Sequence, residues 1–450
     1  MEQFIQFIRS TNEQLGIEAP SNWPDGNDLN YSRVFLNKLN EYFFQTHDGI
    51  GNTCLNDEEY QYFSEFHRIW EANHVELLNA RVDAEQAHRA AQSLSQAVRR
   101  YGDSILRLDY DTAGLSLPAI AQVRFFTANQ DFRRPPEGQY QRYYDDPTRF
   151  DAQEIADSPS DFLTFMGMTR LSQSDKRLDF ARNAANFLLQ NHISAYQVAE
   201  SCNNDAGGIR DCLVSTPNMG YGLKKANMLV RDMYEMDVWP GLQNFNLIDV
   251  SSDINTMKLA LRSRILQTDI PLVSSFLDIF CYQYSYIDGM SAKAWRTAWE
   301  QWCLIDPETA PASPCQMDFL LYRIGKDYCD DKRVVEYLCE NGHVFFYFNA
   351  RLRNCRLCAT TRPRVRAFPR ARFFPCQVES ERLPRENGRI MLNNNLLQTF
   401  NGVCIFEDTC LPMTELFSPF DPPRSISIKG KTSWTDSYSY KEKGGGGMMG

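Results

Sequence analysis

The feature that most constrains this chain is a close succession of helical patterns between residues 158 and 266. Apolar residues recur there at three- and four-residue spacings, and no strand-like alternation of apolar and polar residues interrupts them. Further helical patterns cover residues 291–302 and 317–329, and an apolar stretch covers residues 115–126. The sequence therefore predicts a mostly α-helical protein with a sizeable core.

Changes in composition divide the chain into four parts. Residues 1–104 have helical spacing from residue 57 onward and predict an N-terminal helical accessory region. Residues 105–330 carry most of the helical patterns and predict the core. Residues 331–420 are rich in cysteine and arginine, and residues 421–450 are a Ser- and Gly-rich tail that we expect to be disordered.

A tight turn between two predicted helices stands out within the core. Residues 219–228 read M-G-Y-G-L-K-K-A-N-M, with an apolar helical stretch on both sides. Gly220 and Gly222 permit positive φ angles and a close backbone approach, and Ala226 is small enough for two helices to pack closely. The amides at the start of the second helix could then face an anion such as a phosphate.

A lysine and an aspartate follow this turn. Lys224 lies two residues after Gly222, and Asp249 comes 25 residues later within the sequence L-I-D-V. Here the chain resembles the helix-hairpin-helix DNA glycosylases, the superfamily of endonuclease III and oxoguanine glycosylase. Their hairpin runs G-x-G-x-K-x-A-N, and their essential acid follows in an apolar-Asp-apolar segment. The resemblance covers roughly residues 105–330 and implies a two-lobed helical core.

The resemblance also implies roles for single residues. Lys224 falls on the position of the Schiff-base lysine of the bifunctional members, and Asp249 on that of the essential acid, with Asp253 as the alternative. Such an enzyme flips a nucleotide out of the duplex, and a partly desolvated Lys224 would attack the sugar carbon. Monofunctional members use the acid and water instead. Gly220, Gly222, Lys225 and Asn227 are expected to contact DNA.

The cysteine-rich region predicts a metal site. Cys339 and His343 form a C-x3-H pair, and Cys355 and Cys358 form a C-x2-C pair 11 residues further on. This spacing suits a closed tetrahedral zinc site. Alternatively, because the segment ending at Cys329 resembles the entry to the iron-sulphur loop of endonuclease-III-like glycosylases, Cys329, Cys339, Cys355 and Cys358 could hold a four-iron cluster. Ordinary reduced cysteines are the third possibility.

Charge gives a mixed indication about DNA. The net charge of −10 opposes binding to a phosphate backbone. Between residues 351 and 372, however, there are eight arginines and no acidic residue, including Arg364 and Arg366. This strip could contact phosphates, and metal binding could order it, or it could be a solvated loop.

Compartment and partners follow from what the sequence lacks. No apolar run reaches the roughly 18 residues of a membrane span, and the first 16 residues do not resemble a secretion signal. Thirteen cysteines scattered through a large chain fit a reducing compartment. We therefore expect an intracellular monomer, in the cytoplasm, nucleoid or nucleus, that binds double-stranded DNA. The rival functions are an N-glycosidic hydrolase of nucleotides or nucleosides and a non-catalytic DNA-binding scaffold.

Overall fold

The protein is mostly helical, as the sequence predicts. The structure is a computed structural model that describes residues 2–19, 21, 51–55, 58–62, 75, 76, 78–130, 138–168, 174–268, 281–327, 335–342, 344–347, 354, 355, 358, 364–367, 404–406 and 408–410. The helices in these residues are α1 Glu2–Leu15, α2 Ala84–Tyr101, α3 Leu117–Ala128, α4 Gln139–Asp145, α5 Ala152–Asp157, α6 Pro159–Phe165, α7 Ser174–Gln190, α8 Val198–Ser201, α9 Ala206–Ser215, α10 Leu223–Glu235, α11 Ile254–Arg262, α12 Cys281–Ile305 and α13 Asp318–Asp327. The strands are β1 Gly51–Leu55, β2 Glu58–Tyr62, β3 Arg81–Val82, β4 Leu266–Gln267, β5 Val335–Cys339, β6 Val344–Tyr347 and β7 Val365–Ala367.

The chain folds into two compact units. We call residues 101–252 with 308–319 the hairpin unit, and residues 1–100, 253–307 and 320–448 the terminal unit. The core predicted over residues 105–330 contributes to both units. Among the described helices, none is long and apolar enough to cross a membrane.

Helix α3 lies in the core of the hairpin unit. It begins with a proline in its first turn, where the missing amide costs no hydrogen bond, and it buries residues on every side. The rings of Phe125 and Phe126 meet edge to face at 5.5 Å, and Phe126 contacts Phe162 of α6 at 6.1 Å. Helices α7 and α10 also pack on α3. The apolar segment that the sequence singles out is therefore a central helix around which the hairpin is built.

The terminal unit is also built on helices. Helix α2 buries Ala87, Ala91, Leu94 and Val98, a helical spacing that forms one apolar face. Helices α11 and α12 pack together, and Trp295 donates a hydrogen bond from its indole nitrogen to the carbonyl of Thr256 at 3.3 Å. Strands β3 and β4 pair antiparallel, and β5 lies between β6 and β7 in a three-stranded sheet.

The N-terminal region contains a pair of strands in addition to helices α1 and α2. Strands β1 and β2 pair antiparallel, with Thr53 opposite Tyr60. The helical spacing assumed from residue 57 onward is therefore wrong over Glu58–Tyr62. In this segment Tyr60 and Tyr62 alternate with polar residues, and aromatic residues at a period of two favour a strand. The tail of residues 421–450 lies outside the described residues.

Candidate functional site

The candidate site is built on two consecutive helices, α9 and α10, which are joined by residues 216–222. Asp205 caps the start of α9, and its side chain accepts a hydrogen bond from the amide of Gly208 at 2.7 Å. In the connecting turn Tyr221 is buried, and its hydroxyl donates to the carbonyl of Phe125 in α3. Because the turn is attached to the core helix, the start of α10 is held in a defined position.

The two glycines of the turn have different roles. Gly220 has a φ of +79°, and a Cβ atom there would lie 2.7 Å from Cγ of Phe180 in α7. Gly222 has an extended backbone with a φ of −86°, and a Cβ atom there would meet nothing within 4 Å. The positive φ expected at both positions occurs only at Gly220, because Gly222 is the residue that caps α10. Gly220 serves packing within the protein, whereas Gly222 faces open space.

No side chain of the described residues caps the start of α10. Gly222 has no side chain to cap the helix, so the amides of Leu223 and Lys224 have no acceptor within it. The side chain of Leu223 is 60% exposed and that of Lys224 is exposed. The positive end of a 13-residue helix and a lysine ammonium therefore share one open surface. The partial desolvation expected for Lys224 is absent in the isolated chain.

The segment that carries Asp249 is attached to this same helix start. The hydroxyl of Ser251 donates to the carbonyl of Lys224 at 3.1 Å. On the other side of the acid, the carbonyl of Ile248 accepts hydrogen bonds from the hydroxyl of Ser313 at 2.8 Å and from the amide of Cys315 at 3.2 Å. Asp249 is half-buried between the buried residues Ile248 and Val250. The fold thus brings the two predicted catalytic segments together.

The alternative acid, Asp253, caps the start of α11. Its carboxylate accepts hydrogen bonds from the amides of Asn255 at 2.8 Å and Thr256 at 3.0 Å, and its own amide donates to the hydroxyl of Thr256 at 2.7 Å. This reciprocal arrangement is a capping box at the start of α11. Asp253 is thereby explained as a helix cap, and Asp249 is the better candidate for chemistry.

Two residues expected to contact DNA face the protein instead. The ammonium of Lys225 donates to the carbonyl of Asn129 at 2.5 Å and lies 5.5 Å from the centre of the Phe180 ring. Asn227 is only 5% exposed. The Lys225 side chain therefore attaches the first turn of α10 to Asn129 and Phe180, and Asn227 is buried within the hairpin unit.

The opposite end of α10 carries a buried cluster of charges that the sequence analysis missed. The carboxylate of Asp232 accepts hydrogen bonds from Tyr110 at 2.5 Å, from Arg124 at 2.7 Å and from Arg231 at 2.7 Å. Arg231 also pairs with Asp318. Burial opposes ionisation of Asp232, but the charges of Arg231 and Arg124 outweigh it and hold its pKa below the usual value. An arginine within the apolar run Q-V-R-F-F was the available signal.

Glu235, at the last position of α10, differs from Asp232 because its pKa is raised rather than lowered. Burial raises its pKa to about 7, and the charge of Arg231 offsets only part of that effect. Its Oε1 atom is buried and has no hydrogen-bond partner among the described residues. This carboxyl group therefore titrates near neutral pH.

Three cysteines of the predicted metal site converge in the terminal unit. The Sγ atoms of Cys339, Cys355 and Cys358 all lie within 4.8 Å of one another, and those of Cys339 and Cys358 are 4.0 Å apart. The side-chain amide of Asn341 donates to Sγ of Cys358 at 3.2 Å. A buried cluster of three sulphur atoms fits a metal ion, and the amide bond to sulphur is the kind of outer contact that supports a thiolate ligand. His343 and Cys329, the proposed fourth ligands, lie outside the described residues.

The predicted basic strip adjoins this cluster. In the pairing of β5 with β7, Cys339 lies opposite Val365 and Leu338 lies opposite Arg366. Arg364 forms an isolated bridge with Asn354, the neighbour of Cys355, and is exposed. Arg366 therefore belongs to the strand that pairs with the strand of Cys339, and Arg364 directly precedes that strand. Sequence spacing alone could not show this pairing.

Comparison with known proteins adds no assignment, since neither a protein-family model nor a curated protein matches the chain.

Proposed function

We propose that the chain is a DNA glycosylase that excises a damaged or enzymatically modified base and cleaves the abasic product through a Schiff base on Lys224. The observation that carries this proposal is the hydrogen bond from Ser251 to the carbonyl of Lys224, because it attaches the segment of Asp249 to the first turn of α10. A candidate nucleophile, a candidate acid and an open helix terminus then share one region of the hairpin unit.

The chemistry uses these groups in a definite order. A phosphate of the duplex binds the amides at the start of α10, where Gly222 leaves room for its approach. A nucleotide flips out of the stack, and the amine of Lys224 attacks its C1′ atom. The glycosidic bond breaks, the base leaves with the electron pair and takes up a proton, and an imine joins the lysine to the opened sugar. Asp249 stabilises the positive charge that develops on the sugar.

The exposure of Lys224 sets a condition on this mechanism. Because Lys224 is exposed in the isolated chain, bound DNA itself must enclose the reacting atoms and exclude water from them. We therefore expect reactivity only in the complex.

We further propose that Cys339, Cys355, Cys358 and His343 hold zinc. With Zn–S bonds of about 2.3 Å, the sulphur atoms of a tetrahedral site lie about 3.8 Å apart, close to the 4.0 Å between Cys339 and Cys358. Cysteines around a four-iron cluster bind different irons and lie farther apart, so the compact group favours zinc over the alternative set with Cys329. The ion would supply no step of the reaction and would stabilise the β5–β7 pairing that includes Arg366, and we propose that Arg364 and Arg366 contact the DNA backbone.

Base release under single-turnover conditions tests the proposal. Duplexes that carry a panel of modified bases are incubated with wild type, Asp249→Asn, Lys224→Ala and the control Lys176→Ala, a half-exposed lysine of the same unit. We expect release by wild type and the control, and a loss of 100-fold or more in Asp249→Asn, on the order of an essential charge-stabilising group. Release from nucleosides but from no duplex would support the small-substrate hydrolase, and release from neither would support the scaffold.

A further inference from the structure

One buried residue joins several parts of the hairpin unit. Asn129 directly follows α3 and is 0% exposed. Its side-chain nitrogen donates to the carbonyl of Phe180 in α7 at 3.2 Å and to the carbonyl of Met219 in the turn at 3.1 Å. Its own backbone carbonyl accepts a hydrogen bond from the ammonium of Lys225. The end of α3 is therefore bonded to α7, to the turn and to the first turn of α10.

The side-chain amide of Asn129 fits this place in one orientation only. Both neighbouring atoms are carbonyl oxygens, which accept hydrogen bonds and do not donate them, so the amide nitrogen must face them. In this orientation the Oδ1 atom is buried and has no hydrogen-bond partner among the described residues. A buried acceptor without a donor costs stability, and an apolar side chain of the same shape would avoid that cost. The value of the amide therefore lies in its two donated bonds.

The bond to Met219 fixes a peptide that glycine leaves free. The carbonyl of Met219 belongs to the peptide that enters Gly220, which has a φ of +79°. Glycine adopts positive and negative φ angles about equally well, so Gly220 alone does not select the direction of this peptide. The hydrogen bond from Asn129 selects it. The ring of Phe180 lies against Gly220 and 5.5 Å from the ammonium of Lys225, so the same α7 residue contacts the turn and the start of α10.

These bonds lie on both sides of Lys224. The next residue, Lys225, is bonded to the carbonyl of Asn129. The carbonyl of Lys224 accepts the hydrogen bond from Ser251, in the segment of Asp249. Because the side chain of Lys224 is exposed, its position relative to a bound nucleotide depends on the backbone that carries it. A misplacement of about 1 Å can slow a reaction by about 100-fold.

We propose that Asn129 is a positioning residue, which fixes the turn before α10 and thereby the geometry in which Lys224 attacks the sugar carbon. This inference rests on the proposed function, because that function makes Lys224 the nucleophile. Asn129 is buried and acts through Met219 and Lys225 rather than through the substrate. Loss of its two donated bonds should therefore slow the reaction without a matching loss of affinity for the duplex.

Hydrogen exchange of the full-length protein without DNA tests the attachment independently of any activity. Asn129→Leu keeps the branched shape and removes both donors, and Asn129→Ala removes them without adding bulk. The matched control Thr127→Val removes a buried hydroxyl that bonds within α3, to the carbonyl of Val123 at 2.8 Å. The readout is the exchange rate of residues 219–225 divided by that of residues 229–233 in the buried middle of α10. This ratio should rise about 10-fold in both Asn129 variants and stay at the wild-type value in the control.

Borohydride trapping on an abasic duplex tests the effect on the reaction. At saturating protein, we expect adduct formation to be about 10- to 100-fold slower in Asn129→Leu than in wild type. The half-saturating protein concentration should change by less than about threefold, and Thr127→Val should react at close to the wild-type rate.

Three results would overturn the proposal: an exchange ratio that is unchanged in both Asn129 variants, an unchanged rate of adduct formation, or equal slowing in Asn129→Leu and Thr127→Val. If wild type itself forms no adduct, the glycosylase proposal fails. The exchange ratio alone then decides whether Asn129 fixes the turn.

Discussion

The two ends of α10 carry charged residues under opposite conditions. At its start, Lys224 is exposed and Gly222 leaves the helix amides open. At its end, Arg231 and Asp232 are 7% and 1% exposed and bonded to residues of other elements. Charges that leave water must be paired or they destabilise the fold. The difference indicates that the buried end anchors the helix, while the open end is available for a ligand.

We expect the largest loss of folding stability from a substitution at the buried end of α10. Asp232→Ala removes the buried carboxylate that pairs with both Arg124 and Arg231. We expect a loss of about 3–5 kcal/mol in the free energy of unfolding, the usual cost of an uncompensated buried charge, measured by urea denaturation. The control Asp211→Ala removes a carboxylate that is 66% exposed and pairs with Arg210, and it should cost less than about 1 kcal/mol. Equal losses of unfolding free energy in Asp232→Ala and Asp211→Ala would contradict the claim that the buried carboxylate stabilises this unit more than the exposed one.

The next largest effect is the change in folding stability with pH that the ionisation of Glu235 causes. Its pKa is raised from 4.5 in the unfolded chain to about 7 in the fold, mainly by burial. A raised carboxyl pKa stabilises the fold fully at low pH, and this stabilisation is lost as pH rises from about 4.5 through about 7. Glu235→Gln should therefore gain stability relative to wild type as pH rises, by roughly 2–3 kcal/mol at pH 8.

Urea denaturation at pH 5 and pH 8 measures this difference. The exposed Glu200→Gln serves as the control, and it should behave like wild type at both values. A difference between Glu235→Gln and wild type that stays constant between the two pH values would contradict a buried, neutral Glu235.

A smaller effect distinguishes the two glycines at the open end. Gly220→Ala requires a positive φ and places a methyl group against Phe180, so we expect a loss of roughly 1–3 kcal/mol in the free energy of unfolding. Gly222→Ala should cost less than about 1 kcal/mol, since its backbone is extended. DNA affinity measured by fluorescence anisotropy should fall several-fold in the folded Gly222→Ala. Unchanged affinity would remove Gly222 from the DNA contact.

The smallest effect concerns Arg364, which directly precedes β7, and Arg366, which lies within it. Arg364→Ala and Arg366→Ala should each reduce the slope of log affinity against log salt by about one, as for a single phosphate contact. The measurement is a salt titration of duplex binding for each variant beside wild type. Slopes identical to that of wild type would make these arginines a solvated surface.

Local sequence patterns predicted part of this structure. Helical spacing predicted α10 to within one residue of its end at Glu235, and the C-x2-C pair predicted that Cys355 and Cys358 lie together. These features depend on residues that are close in sequence. The hydrogen-bond partners of Asp232 could not be predicted from local sequence, because Arg124 lies 108 residues away. The burial of Asn227 likewise depends on which face of α10 the rest of the hairpin unit covers.

The most direct test of the central claim is borohydride trapping on a duplex that contains an abasic site. Wild type, Lys224→Ala and Lys225→Ala are compared, and the trapped peptide of the wild type is sequenced by mass spectrometry. Our account predicts a covalent adduct on Lys224 that is absent in Lys224→Ala and still forms in Lys225→Ala, even if the loss of the Asn129 contact lowers the yield. An adduct that persists in Lys224→Ala, or one that maps to another lysine, would contradict the assignment of the open end of α10 as the reaction site.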